Sequence, residues 1–409
     1  MLATALTAVL LLGGIGTAHA DSPAPAPGAV VVVPDHWTDP ATGHDWTLDP
    51  TGRTDVSDAL NLWLGRGLTD GTIPAGTQGA PTVVQFPAGA QYRVEYGLQL
   101  GSTGVSRAHP DVPRYRARHL VLDLNGGRLF QTSTAVFQAG KPVVEPRKRW
   151  GVQLLKIRLG TDVTVRNGTI EGSHATLSDA TFTPHESWIG VQLSGCTTCR
   201  LQDLTITHVW SDFVYLGQSL DPTEAPGTIV HNRDIALDHV TMDVNGRQGI
   251  TTNDVIGLTV TNSSMHHIAR FAIDCEPLAG DVVHHVTFAD NVWQDGRLGF
   301  MSVQAARVAD VGDITLTRNV WDRGHLHITV AAAFSGPATI LYRSGLVITD
   351  NVSLDRANPA RSAVIDVRGW RGVVVTGNHD FGNNATRALA LRDTPTPTVG
   401  GNQFVGFRP

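Results

Sequence analysis

Apolar and polar residues alternate in short runs along this chain, and the runs repeat. Eight segments share one form, apolar-x-apolar and then a polar turn. They are VTVRNGTI from Val163, CRLQDLTI from Cys199, IALDHVTM from Ile235, LTVTNSSM from Leu258, VTFADNVW from Val286, ITLTRNVW from Ile314, LVITDNVS from Leu346 and VVVTGNHD from Val373. Alternation with period two buries one face of a strand and shows the other. The starts lie about 23 to 36 residues apart, one coil each. A repeat of that size predicts a solenoid, because a single coil cannot bury its apolar face alone.

Asn291, Asn319, Asn351, Asn378 and, in a weaker repeat from Pro397, Asn402 each fall five residues after a repeat start. Asn tolerates the left-handed backbone of a tight turn. Stacked in successive coils, these side chains are placed to bond one another as a ladder. Upstream, Thr54 to Leu64 sets Val56, Leu60 and Leu64 on one face after a Thr/Asp cap, which predicts an amphipathic helix. It would plug the open end of the solenoid, where bare strand edges invite aggregation. VVQFPAGAQYRV (Val83 to Val94) and LVLDLNGGRLF (Leu120 to Phe130) follow it.

The first twenty residues read as a secretory signal peptide: an apolar stretch from Leu6 to Ile15, then Ala18-His19-Ala20, too short to span a bilayer. No Lys or Arg precedes the stretch. The expected organisation is a signal peptide over 1–20, a Pro/Ala-rich linker and arm over 21–45, and a β-helix domain over 46–409. A secreted monomer without a membrane span is expected. The net charge of −6 argues against nucleic acid as a partner. Of three cysteines, two form Cys196-Thr197-Thr198-Cys199. A local disulfide or two small buried residues suits an oxidising compartment, and Cys199 stands where neighbouring repeats carry Val or Ile.

The order of capping helix, FPAG-x-x-YRV, LVLDLNGG and NVTI-like coils resembles the pectate-lyase-like superfamily of right-handed parallel β-helix proteins. The likeness covers nearly the whole chain after the leader. It implies an all-β, single-stranded solenoid and a polysaccharide or oligosaccharide as partner. The superfamily includes polygalacturonases and other glycoside hydrolases, lyases, epimerases and tailspike depolymerases, so the fold does not choose the reaction.

A second strand in each coil aligns as SDFVYLG from Ser211, RQGITTN from Arg247, RFAIDCEP from Arg270 and RLGFMSV from Arg297. In that alignment Val214, Ile250, Ile273 and Phe300 share an inward column, and Leu216, Thr252, Cys275 and Ser302 share the next. Tyr215, Thr251, Asp274 and Met301 then face outward, beside Gly217, Asn253, Glu276 and Val303. Asp274 and Glu276, two apart on one strand, point the same way with Cα atoms about 6.5–7 Å apart. Such a pair suits acid and base work on a glycosidic bond, and equally suits Ca²⁺. Otherwise they are surface acids balanced by a stack of Arg247, Arg270 and Arg297.

Asp212, in Trp210-Ser211-Asp212, resembles the place where polygalacturonase-like hydrolases carry an Asp pair; only the second Asp is present. Those hydrolases have Gly-His-Gly one coil on, where this chain has Arg247-Gln248-Gly249. They have Arg-Ile-Lys one further, where it has Ala272-Ile273-Asp274. An acid thus replaces the base that would hold a galacturonate, which points to a neutral sugar or a metal-held uronate. The arginines suit a lyase or epimerase instead, where Arg neutralises a uronate carboxylate.

The site residues expected are Asp274, Glu276 and Asp212 for catalysis, with Arg247, Arg270, Arg297, Tyr215, Asn253 and His327 for substrate. Trp188, Trp210 and Tyr215 are candidates either to supply sugar-stacking rings or simply to pack under loops. His266-His267 and His284-His285 have no third ligand at metal spacing and read as structural. The excursions Ala175 to Trp188 and Gly217 to Asn232 are placed to wall a groove. The reading is a secreted glycoside hydrolase needing no cofactor. The runner-up is an Arg-based lyase or epimerase with Ca²⁺ on the acids, and a third reading is a non-catalytic carbohydrate-binding solenoid.

Overall fold

A computed structural model describes residues 28–102, 111–133, 136–138, 141–143, 152–174, 187–221, 228–294, 296, 298–305, 309–322, 326–330, 343–354, 363–381 and 389–404. The expected signal peptide and Arg297 lie outside them, as do residues 175–186 and 222–227 of the two excursions.

The chain winds as a right-handed parallel β-helix, the fold of the pectate-lyase-like proteins. All eight repeat starts fall in one column of paired residues running from Val163 through Cys199 to Val373. Each is at most 2% exposed. The alternation is therefore the code for the apolar core, and Cys199 fills a core position. Cys196 and Cys199 are free, buried thiols, and Cys196 donates to the Ile157 carbonyl at 3.2 Å.

These coils build a sheet of 22 strands among the described residues. A second, ten-stranded parallel sheet carries the site. Its strands in chain order are β1 (Leu98–Leu100), β2 (Leu155–Arg158), β3 (Val191–Ser194), β4 (Val214–Gly217), β5 (Ile250–Thr252), β6 (Phe271–Cys275), β7 (Gly299–Ala305), β8 (Leu326–Val330), β9 (Ile365–Arg368) and β10 (Leu389–Arg392). Each pairs with the next in that order. The β-helix also takes in part of the expected arm, since Val30–Val32 pairs in parallel with Val83 to Gln85.

The capping helix, α1, spans Ser57–Asp70 rather than Thr54 to Leu64. Its start is displaced because Thr51–Asp55 is a strand paired with Gln91–Arg93. The Asp55 carboxylate accepts the Ser57 amide at 3.0 Å. The far end is fixed by Gly71, whose φ of 84° suits glycine. Leu60 and Leu64 are fully buried as expected. The helix does more than cover apolar surface: Asn61 donates to the Gly97 carbonyl at 2.9 Å and accepts the Gln99 amide at 2.8 Å. It thereby satisfies backbone groups of the edge strand β1.

The asparagine ladder forms, with Nδ2 to Oδ1 bonds of 2.9 Å from Asn291 to Asn319, 3.0 Å to Asn351, 3.0 Å to Asn378 and 2.9 Å to Asn402. The left-handed residue, however, is the one before each Asn: Asp290, Arg318, Asp350, Gly377 and Gly401 have φ of 59°, 54°, 55°, 66° and 64°. That residue makes the turn, and the Asn is turned inward, where its amide spans two coils. The Asn319 side chain makes four such bonds: to Phe288 O (2.8 Å) and Asn351 Oδ1 (3.0 Å), and from Asn291 N (3.2 Å) and Nδ2 (2.9 Å). Asn319→Ala orphans these partners at about 1–3 kcal/mol for each buried group. We expect a lower urea midpoint with an unchanged slope; an unmoved midpoint would mean that the ladder adds no stability.

Candidate active site

Alternation on the ten-stranded sheet sets Lys156, Gln192, Tyr215, Thr251, Asp274 and Ser302 side by side in one outward position of successive strands. The register matches expectation from β4 to β6 and then differs by one residue. Met301, not Phe300, is paired with Ile273, and Ser302, not Met301, with Asp274. Phe300 is drawn into an aromatic group instead, stacked on Trp321 at 4.8 Å and beside Trp293 at 5.9 Å. Met301 then takes the core position.

At the centre lie three acids and one arginine. Asp212 is fully buried two residues before β4. It accepts from Arg247 (2.9 Å), the Gln248 amide (3.0 Å) and the Thr251 hydroxyl (2.8 Å). Arg247 also reaches toward Glu276, 3.8 Å away. Asp274 is fully enclosed; its Oδ2 accepts from Gln248 Nε2 at 2.6 Å, while its Oδ1 is buried with no hydrogen-bond partner. Glu276 is the open member, with its side chain 36% exposed. The sequence thus placed Asp212, Arg247, Asp274 and Glu276 together, and the structure joins them.

It adds two residues that the sequence reading aligned with the site strands without giving them a role. Gln248 joins Asp212 to Asp274 and also accepts the Phe271 amide at 2.9 Å; Thr251 holds Asp212 from the next strand. Their signal was RQGIT itself, polar residues at a strand start followed by a glycine. A Cβ on Gly249 would lie 2.1 Å from Met265 Sδ and 2.2 Å from the Ala272 carbonyl. The backbone there is pressed against the core, which brings Gln248 under the acids.

The remaining candidates are placed less centrally. Arg270 lies before β6 and exerts its charge on Asp274. Tyr215 lays its ring over Gly217, where a Cβ would come within 2.6 Å of it. Asn253 follows β5 and has a buried Oδ1 without a partner. The backbone of His327 sits two strands beyond Asp274. Trp188 is a packing residue, only 3% exposed, and not a stacking platform; Trp210 donates to Ser173 at 2.9 Å. His267 pairs with Asp243 at 2.7 Å, and His284 with Asp310 at 2.8 Å. Among the described residues no three His, Cys, Asp or Glu side chains are grouped to hold an ion.

Both buried aspartates are pushed toward the protonated form. Burial, then the charges of Glu276 and Asp212, push Asp274 up to about 8, against the pull of Arg247 and Arg270. Burial also pushes Asp212 up, opposed by Arg247, the Gln248 amide and Thr251. At neutral pH Asp274 is therefore a carboxylic acid. The unfolded chain loses this proton near its ordinary value of 3.8 while the native one keeps it to about 8. Asp274 thus favours the fold fully below about pH 4, and this support is lost as pH rises through 8. Asp274→Asn keeps the neutral form at every pH. It should melt above the parent at pH 7 and level with it at pH 4. A variant that melts lower at both would mean that Asp274 is an ionised partner of Arg247.

No protein-family model matches the chain, and no curated protein matches it in sequence. Solved structures do. The Streptococcus pneumoniae surface protein and adhesin PfbA is similar with a TM-score of 0.56 and 13% identity, over 87% of this chain and 94% of that one. A tailspike protein of E. coli bacteriophage HK620 is similar with a TM-score of 0.56 and 14% identity, over 91% of this chain and 62% of the tailspike. The endo-xylogalacturonan hydrolase of Aspergillus tubingensis is similar with a TM-score of 0.53 and 11% identity, over 86% and 98%. At these identities the likeness defines the class of fold alone, a right-handed parallel β-helix.

Proposed function

We propose that this protein is a secreted glycoside hydrolase acting on a polysaccharide. One observation carries the reading: two carboxyl groups two residues apart, Asp274 on β6 and Glu276 just past its end, have opposite environments, Asp274 enclosed and pushed toward its protonated form, Glu276 open to water. Pairs of titratable groups with divergent environments mark acid and base roles. Asp274 gives its proton to the glycosidic oxygen as the bond to the anomeric carbon breaks. Glu276 takes a proton from the water that attacks that carbon. Asp212 is a positioning residue, holding Arg247, Gln248 and Thr251 around the pair. Because Asp274 is enclosed, a bound sugar must displace what covers it. The unpartnered Oδ1 atoms of Asp274 and Asn253 are the groups that sugar hydroxyls and the glycosidic oxygen would satisfy.

Two similar structures support the substrate class: one is named a hydrolase of xylogalacturonan, and the HK620 tailspike has been solved with a pentasaccharide. Export is supported by the leader-like start, and no helix among the described residues is long and apolar enough to cross a membrane. The lyase reading is weakened by Arg247, which is committed to Asp212 and lies against Glu276, where a Ca²⁺ would otherwise sit. A panel of polysaccharides read for reducing ends and for ultraviolet absorbance, with and without EDTA, tests the reading. Reducing ends without absorbance, unchanged by EDTA, are expected. Absorbance lost in EDTA would establish the calcium-dependent lyase instead.

A further inference from the structure

Gln248 is buried between Asp212 and Asp274. Its backbone amide donates to Asp212 Oδ1 at 3.0 Å, and its backbone carbonyl accepts from Asn245 Nδ2. Its side chain is held at both ends: Oε1 accepts the Phe271 amide at 2.9 Å, and Nε2 donates to Asp274 Oδ2 at 2.6 Å. A backbone N–H can only donate, so the end facing Phe271 is the carbonyl and the end facing Asp274 is the NH2. A flipped amide would set donor against donor at Phe271. Phe271 and Asp274 both belong to β6, so the amide is clamped to the strand that carries the acid. The preceding turn is tied down in the same way, since the fully buried Asn245 accepts the Ala269 amide at 3.0 Å.

An amide NH2 offers no lone pair to a proton. Oδ2, the oxygen it meets, is therefore the carbonyl oxygen of the Asp274 acid. The hydroxyl falls at Oδ1, which is buried with no hydrogen-bond partner. We propose that Gln248 is a positioning residue that keeps the transferable proton of Asp274 on Oδ1, the oxygen left to meet the glycosidic oxygen. This role rests on the reading of Asp274 as the acid. As the glycosidic bond breaks, its electron pair passes to the leaving oxygen, which takes the Oδ1 proton. The new carboxylate keeps the Gln248 bond on Oδ2. A donor on that oxygen favours the ionised form, so it eases release of the proton. It works with Arg247 and Arg270 against burial and the charges of Glu276 and Asp212, which hold the proton on.

The infrared carbonyl stretch of the Asp274 acid tests the placement without any substrate. It is isolated at pH 6, between 3.8 and about 8, as the band lost in Asp274→Asn. Gln248→Met removes the donor from Oδ2, so the stretch should rise in frequency. A stretch at one frequency with and without Gln248 would overturn the proposal, whatever the turnover. On a cleaved polysaccharide, Gln248→Met should lower kcat roughly 10- to 100-fold with little change in KM. Gln248→Glu keeps an acceptor for Phe271 but sets an acceptor against Oδ2, which draws the proton there; it decides the matter should Gln248→Met fail to fold. Its deficit against the parent should narrow toward acid pH, as the introduced carboxyl gains a proton to donate to Oδ2. A deficit equal at every pH would mean a packing role and overturn the proposal. A raised stretch in a protein that cleaves no polysaccharide would uphold the proton on Oδ1 and remove the hydrolase reading.

Discussion

Asp274→Asn and Glu276→Gln should each leave a folded protein that has lost roughly 10²–10⁴-fold of its turnover. An amide keeps the size of the carboxyl group and much of its hydrogen bonding, but it can neither give nor take the proton. At position 274 the parent side chain is already neutral and already accepts from Gln248, so the enclosing structure should tolerate the change. At position 276 the side chain is the exposed one, and a substitution there disturbs little packing. Binding of an uncleaved oligosaccharide should therefore persist in both. Loss of turnover with retained binding separates a chemical role from a structural one. Near-parental rates in both variants would reduce the acids to partners of Arg247.

The second large effect is on folding. Ile273 lies in the inward column, paired with Ile250 and Met301, and is fully buried. Ile273→Asp would bury a charge against apolar neighbours in the middle of the solenoid. Each coil relies on the next, so the defect cannot stay local. No soluble protein with a β-type circular dichroism spectrum is expected, whereas Asp274→Asn, one residue along, should give one. A stable Ile273→Asp protein would require the strand to present its other face.

Much of this was legible in the sequence because a solenoid repeats a local rule. Every repeat start fell in the same column, from Val163 to Val373, since alternation and core burial are one constraint seen twice. The Asp274–Glu276 pair was readable for the same reason. What escaped depends on contacts between coils. Phe300 was placed one residue out because its partners, Trp293 and Trp321, come from neighbouring turns of the other sheet. Gln248 gained its role by reaching across to Asp274 and Asp212. The helix ran on to Asp70 because Gly71, beyond the apolar stripe, set its end.

The central claim is that Asp274 works as the protonated acid, and the pH dependence of kcat/KM on a cleaved polysaccharide tests it most directly. That profile reports groups of the free enzyme. With Asp274 held at about 8, kcat/KM should fall on the alkaline side of pH 8, approaching tenfold per unit as the acid is lost. A profile that stays level or climbs from pH 8 to 10 in a protein still folded would contradict the account.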